Sequence, residues 1–507
     1  MRASLKKNII ANYLGQGWRA IMEMAFVPLY IKYLGIEAFG IIGVFALLQG
    51  WLALLDAGMT PTLSREMARF TGGAHNPQSI RNLLRSIEII ALSIALFIAV
   101  SLWGVSDWLA SDWLKAEKLS PEIVSQAFVV MGVIVALRFI ENIYRSSIIG
   151  LQKQVALNVI NSVMATLKGL GSVGILIWIS PTLEAFFIWQ GVVSIITVSI
   201  FAFTVYKALP PANSKGQFSI DALRGIWKYA SGMLAITFLG LLLTQVDKII
   251  LSKLLTLEEF GYYVLAALVA SALFILVAPI SQAFFPHFSK LVARDEQIQL
   301  IQNYHKAAQL VTVILGSVAV FLIFFAEPIL LLWTQNTALA EKSALLVVPL
   351  ALGNLLNGLM WIPYQTQLAY GWTSLTIKIN ILAVTIIIPT ILWLTPLYGA
   401  IAAAWIWVFI NAGYILFGVH FMYRKILSNE KWRWYTKDIL FPMTSATITA
   451  FLLSWIAPSS FMSTFTQLAW LFFTLVTILL SSAVATLTLR TKILSFIRRI
   501  RINSKLL

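Results

Sequence analysis

The stretch Asn8-Ile9-Ile10-Ala11-Asn12-Tyr13-Leu14-Gly15-Gln16-Gly17-Trp18-Arg19-Ala20-Ile21-Met22-Glu23 decides how the chain is read. Asn8, Asn12, Gln16, Arg19 and Glu23 recur at helical spacing, which puts all five on one face of an α-helix. The other face is apolar, and the apolar run continues through Met24, Phe26, Val27 and Leu29 to Lys32. This is the pattern of a membrane span with Arg19 and Glu23 near mid-membrane. A charge there costs about 2.5–3.5 kcal/mol on insertion scales and normally faces a bundle interior or a watery cavity. The span therefore reads as one wall of a polar cavity in a transporter. The alternative is an Arg19–Glu23 salt bridge that only holds helices together.

Composition agrees with a membrane protein. Of 507 residues, 59% are hydrophobic and 11% charged, against about 25% charged in a typical soluble domain. There is no cysteine, so disulfide, zinc-thiolate and iron–sulfur chemistry are excluded. The four histidines show no metal-ligand spacing, and no cofactor is expected. The first helix carries charge at its centre and no small-residue cleavage site follows it, so no cleavable signal peptide is expected.

Apolar segments of spanning length, about 20 residues, fall near 8–32, 38–64, 82–106, 122–149, 154–180, 184–206, 226–252, 259–288, 303–333, 343–369, 374–395, 398–422, 437–457 and 465–489. The expected fold is all-α, a polytopic membrane protein of about 14 transmembrane helices. With Arg2, Lys6 and Lys7 inside, the cytoplasmic connections hold most of the 37 Lys and Arg residues. Only Lys32, Lys115, Lys118, Lys248, Lys253 and Lys342 fall on the far side. That asymmetry fits both termini in the cytoplasm, and it explains the net charge of +16 without nucleic acid. The tail Arg490 to Arg501 alternates basic and apolar residues, as a segment lying on anionic lipid does. The longest outer loop is expected around Asp107 to Glu122, too short for an enzymatic domain.

The chain repeats at an offset of 221. Leu34-Gly35-Ile36-Glu37-Ala38-Phe39-Gly40 matches Leu255-Thr256-Leu257-Glu258-Glu259-Phe260-Gly261, and the same offset pairs Lys32 with Lys253, Asn82 with Asn303 and Gly150 with Gly371. Six helices separate equivalent positions, so the two halves have the same orientation. Such parallel repeats occur in transporters. The expected organisation is an N-lobe at 1–210, a C-lobe at 211–426, two further helices at 427–489 and a basic tail at 490–507.

Buried polarity is concentrated in the first half. Arg138, Glu141 and Arg145 share a helix face, as do Asn158, Asn161 and Lys168. Gln49, Asp56 and Thr60 share another, and Asp247-Lys248 sits near the outer end of its helix. The candidate ligand-binding residues are Arg19, Arg138, Lys168, Lys248, Gln16 and Asn161. Glu23, Asp56, Glu141 and Asp247 are the candidate supporting or ion-coupling carboxylates. Arg138–Glu141 can alternatively be an intrahelical ion pair, Lys248 can snorkel to headgroups, and Asp56 can cap a helix or pair near Arg65. The cationic excess points to an anionic ligand, because Arg and Lys neutralise phosphate.

Several runs resemble a known family. Tyr33-Leu34-Gly35-Ile36-Glu37-Ala38-Phe39-Gly40, Leu55-Asp56-Ala57-Gly58 and Arg65-Glu66-Met67-Ala68 resemble the start of Wzx-type polysaccharide flippases. Gln245-Val246-Asp247-Lys248-Ile249-Ile250-Leu251-Ser252 and Glu259-Phe260-Gly261-Tyr262-Tyr263 resemble the opening of that family's second half. The family belongs to the multidrug, oligosaccharidyl-lipid and polysaccharide exporter superfamily. The resemblance implies a non-enzymatic protein of two parallel six-helix lobes plus two C-terminal helices in the bacterial cytoplasmic membrane. It would move undecaprenyl-pyrophosphate-linked oligosaccharide to the outer leaflet by alternating access, for O-antigen or related polysaccharide. Implied partners are that lipid-linked oligosaccharide, membrane lipids, H+ or Na+ as coupling ion, and the polysaccharide polymerase and chain-length machinery. The alternatives are a multidrug/cation antiporter of the same superfamily, which would present acidic groups to its cargo, and a lipid II flippase.

Overall fold

The computed structural model describes residues 14–15, 17–56, 59–71, 76–210, 216–220, 242, 245–372, 374–456 and 463–486. Asn8, Asn12 and Gln16, most of the expected seventh span and the basic tail lie outside the described residues. Among the described residues 11 helices are long and apolar enough to cross a membrane, and Ile36–Gly50 is a shorter apolar helix. The expected first and seventh spans fall partly outside the described residues. The chain is therefore a polytopic, all-α membrane protein, and the described residues contain no β-strand beyond one isolated bridge between Lys115 and Thr256.

Two compact units divide the chain, Met1–Gly261 and Tyr262–Leu507. In the first, helix α1 (residues 17–25) breaks at Phe26, and α2 (Val27–Leu34) restarts with Pro28 in its first turn. Proline suits that position because its missing N–H has no helical partner there. Gly35, at φ +87°, ends α2 before α3 (Ile36–Leu55) begins, a backbone conformation that glycine adopts without strain. Next come α4 (Met59–Thr71), α5 (Pro77–Trp108), α6 (Pro121–Gly150), α7 (Gln154–Trp178) and α8 (Leu183–Ala208). Asn76 and Thr182 cap α5 and α8 by accepting the N–H of Ser79 at 2.7 Å and of Ala185 at 3.3 Å. Helix α6 is the pillar of the unit and packs against α4, α5 and α8.

The loop expected around Asp107 to Glu122 is shorter than the sequence indicates. Helix α5 continues through a π-turn, Leu109–Trp113, so Asp107 and Asp112 are helical and only Leu114–Ser120 is loop. That loop is tied to the end of the unit. Leu257 N–H donates to the Lys115 carbonyl at 2.9 Å, and Trp113 Nε1 donates to Ser252 Oγ at 3.1 Å. These bonds, with close contacts of Gly40 and Gly261, hold helix α9 (residues 245–254) and the start of α10 (Leu257–Ala293) in the first unit. The compact division consequently falls later than residue 210.

The second unit contains α11 (Gln297–Thr334), α12 (Thr337–Ala369), α13 (Ser374–Tyr398), α14 (Ala400–Lys425), α15 (Lys431–Trp455) and α16 (Thr464–Ala485). Helix α11 packs on α12, and α12 on α14. The last two helices dock on α11 through Val320, Phe321, Phe325, Ala446, Ala450, Leu471 and Ile478. Trp434, which its interfacial neighbours would make a membrane-surface anchor, is instead buried, and Tyr435 donates to the Ile415 carbonyl at 2.6 Å. Trp432 stays exposed.

Candidate functional site: a cationic cavity in the first unit

Three helices carry polar residues on faces that meet. On α6, Arg138, Glu141 and Arg145 recur at three- and four-residue spacing, and on α7 Asn158, Asn161, Ala165 and Lys168 do the same. Short contacts bring α1 onto α7. Gly15 is buried against Asn158, and any side chain there would collide with it. Trp18 Nε1 donates to Thr166 Oγ1 at 2.9 Å. The Phe26 ring, at the α1–α2 break, occupies the place that a side chain on Gly169 would need. Lys168 is thereby set beside the break in the first span.

The result is a cavity of about 510 Å³ lined by charged, amide and aromatic groups. Arg19, Glu23, Arg138, Glu141, Asn161 and Lys168 all line it, together with Asn142, Arg145, Gln49 and Gln190. Six residues proposed from sequence are thus brought together. Gln190 is itself held by a 3.0 Å bond from its Nε2 to Ser172 Oγ.

The charges do not cancel. Arg19 Nε pairs with Glu23 at 3.0 Å, with both side chains about half exposed. Among the described residues Arg138, Arg145 and Lys168 make no ion pair. Glu141, one turn from both arginines, is the remaining lining carboxylate, and the intrahelical Arg138–Glu141 pair does not form. The Arg138 guanidinium lies 5.3 Å from the centroid of the Phe45 ring, a cation–π contact. Its Nε is buried without a hydrogen-bond partner. Three unpaired cations against one carboxylate suit an anion, since each can donate charge-assisted hydrogen bonds to phosphate or carboxylate oxygens.

Other candidates lie elsewhere. Asp56 caps α4: its carboxylate accepts the Thr60 N–H at 3.1 Å and 3.2 Å and the Thr60 hydroxyl. Lys248 and Asp247 line neither this cavity nor its neighbour. They pair with each other at 4.0 Å, and Lys248 Nζ donates to Gln245 at 3.5 Å. Gln16 is outside the described residues. Arg145, outside the candidate set, is a further lining cation. Its place on the helix face of Arg138 and Glu141 is the sequence signal that points to it.

Comparison with known proteins agrees with this architecture. Residues 5–292 match the family model described as polysaccharide biosynthesis protein. A candidate O-antigen transporter of Shigella flexneri is 21% identical over 404 residues, covering 80% of this chain and 94% of the relative. The fold is similar to that of the lipid II flippase MurJ in an inward closed conformation, with a TM-score of 0.71 at 13% identity, covering 94% of this chain and 98% of the other. An inward-facing multidrug resistance transporter of the MATE family gives a TM-score of 0.61 at 14% identity, covering 78% and 91%.

Proposed function

The chain belongs to the polysaccharide biosynthesis protein family, and we propose that it is a flippase for undecaprenyl-pyrophosphate-linked oligosaccharide. It takes its cargo from the inner leaflet of the bacterial cytoplasmic membrane and delivers it to the outer leaflet for O-antigen or a related surface polysaccharide. The termini and the α6–α7 turn face the cytoplasm. The observation that carries this reading is the cavity lining, in which Arg138, Arg145 and Lys168 lack ion-pair partners and amide groups stand beside them. Burying such charges unpaired is costly, and a diphosphate headgroup compensates them. The amides of Asn142, Asn161 and Gln190 are suited to sugar hydroxyls. In this reading alternating access exposes the cavity to each side in turn, and a lining carboxylate, Glu23 or Glu141, carries the coupling proton.

A multidrug/cation antiporter is the weaker reading, because this lining repels a cationic drug. A lipid II flippase has the same headgroup chemistry and is separated by gene essentiality. The test is a strain lacking the gene, complemented with wild type or Arg19→Ala, scored for surface polysaccharide and for the sidedness of the lipid-linked intermediate. The proposal expects intermediate trapped on the cytoplasmic face in the null strain and in a well-expressed Arg19→Ala strain. Normal surface polysaccharide in the null strain, with no second flippase present, refutes it.

A further inference from the structure

In the second unit the buried ring of His305, on α11, stands between two carboxylates. Its Nδ1 is hydrogen-bonded to Asp438 Oδ2 on α15, and its Nε2 to Glu430 Oε2, at 2.8 Å, in the turn between α14 and α15. Each of these two bonds needs one hydrogen. A neutral imidazole carries a single N–H, and an ionised carboxylate only accepts. A neutral histidine with two carboxylates therefore falls one hydrogen short, wherever the hydrogens sit. The neighbours do not supply it. Gln309 Nε2 donates to the other Asp438 oxygen at 2.8 Å, and Arg433 Nη1 donates to Glu430 at 3.4 Å. The Tyr304 and Tyr423 hydroxyls bond each other at 2.6 Å, and Tyr435 donates to the Ile415 carbonyl. Lys431, at the start of α15, donates instead to Nδ1 of His420 on α14 at 2.8 Å. Lys306 and Lys437 are exposed. One added proton completes both bonds. It also balances the charge, since an imidazolium and Arg433 then face two carboxylates.

We infer that His305, Asp438 and Glu430 form a proton-binding site, and that the bound proton latches the α14–α15 turn onto α11. The weak point of the latch is Glu430. Asp438 has no exposed surface, whereas the Glu430 side chain is 18% exposed. When the extra proton leaves, the ring keeps its one N–H toward Asp438 and turns a lone pair on the Glu430 carboxylate. Glu430 then swings out to water beside Arg433. The turn that carries it is already under strain, because Leu427 sits at φ +53°, a backbone conformation that side chains other than glycine rarely adopt. Acid therefore fastens the last two helices to α11, and alkali loosens them. None of the three residues lines the cationic cavity, and the latch stands whatever the cargo is.

The full-length protein in detergent is unfolded by heat between about pH 6 and about pH 8.5, the range in which histidine titrates. A folded state that holds one more proton than the unfolded chain loses stability as pH rises, by up to about tenfold in the folding equilibrium per pH unit. Glu430→Gln is the decisive variant. Its amide donates to an unprotonated Nε2, so both bonds form without the added proton. The wild-type midpoint is expected to fall by several degrees more than that of Glu430→Gln over this range. His305→Gln, which removes the titrating ring, is expected to lose the same excess fall and serves should Glu430→Gln fold poorly. In the wild type, proteolysis at 426–430 relative to that at 114–120 is expected to rise about threefold or more at the alkaline end, as local opening does when a holding contact is lost. Parallel midpoint curves for the wild type and the variants, or a proteolysis ratio that does not change with pH, overturn the latch.

Discussion

Gly40 and Gly261 make the same contact from repeat-related positions. A β-carbon on Gly40 would lie 2.5 Å from the Leu257 carbonyl oxygen, and one on Gly261 would lie 2.5 Å from the Ile36 carbonyl oxygen. The glycines are 221 residues apart, as are Ile36 and Leu257. The internal repeat is therefore a physical pairing, in which the starts of α3 and α10 approach until backbone meets backbone. Gly40→Ala forces backbone apart and is expected to destabilise the protein by about 1–3 kcal/mol, despite alanine's better helix propensity. Gly50→Ala, where the nearest atom is a side-chain carbon of Gln245 at 3.6 Å, is the tolerated control. Thermal unfolding of both variants in detergent checks this.

The loop Leu114–Ser120 straps those same helix starts. The Glu37 carboxylate accepts the N–H of Glu117 at 2.6 Å and of Lys118 at 2.9 Å, and Lys118 Nζ reaches Glu258 at 2.5 Å. Glu37 and Glu258 are themselves repeat-related. Glu37 is buried, so Glu37→Ala leaves two backbone donors without their acceptor, at about 1–3 kcal/mol. Lys118→Ala is expected to cost under about 1 kcal/mol, because the lysine is 67% exposed. Limited proteolysis between Leu114 and Ser120 is expected to accelerate in Glu37→Ala and to stay near wild type in Lys118→Ala.

In the second unit a buried histidine joins α11 to α15. His305 Nδ1 faces Asp438, its Nε2 lies 2.8 Å from Glu430, and Gln309 Nε2 donates to Asp438 at 2.8 Å. Asp438 has no exposed surface. Removing Asp438 leaves the buried His305 Nδ1 and Gln309 Nε2 without their hydrogen-bond partner, at about 1–3 kcal/mol for each buried group left unsatisfied, so Asp438→Ala is expected to loosen the docking of α15 and α16. Arg433→Ala removes only a half-exposed partner of Glu430 at 3.4 Å and is expected to change stability by under about 1 kcal/mol. Thermal unfolding and protease sensitivity of the loop between α14 and α15 report the difference.

What could be read from sequence follows the range of each interaction. The faces of α6 and α7 were legible because polar residues within an apolar helix stand out at a period of 3.6. The His305–Asp438 pairing was not, because its members lie 133 residues apart and neither sits in a local pattern. Asp56 looked like a membrane carboxylate because Thr60 was counted on the same span. The chain in fact restarts a helix there, and the spacing of four is that of a cap. Trp434 carries the composition of an interface but packs inward, since a π-helical turn over Trp434–Leu440 rotates its face. The loop after α5 is shorter than the sequence suggests because Asp107 and Asp112 interrupt hydrophobicity without ending the helix.

The Arg19–Glu23 pair separates architecture from transport. It is a half-exposed i,i+4 contact at 3.0 Å, a class worth about 0.3–0.5 kcal/mol. Arg19→Ala is therefore expected to leave thermal stability and membrane abundance close to wild type. Arg19 also lines the cationic cavity and a smaller one of about 180 Å³ that shares Arg145 and Asn161 with it, so the same variant is expected to lose transport of the lipid-linked intermediate. The double exchange Arg19→Glu with Glu23→Arg rebuilds an ion pair but moves the cation one turn along α1, away from the smaller cavity, which Glu23 does not line. It is expected to match wild type in stability and Arg19→Ala in transport. If the exchange instead restores transport, the pair acts as a helix fastener and Arg19 has no contact with cargo.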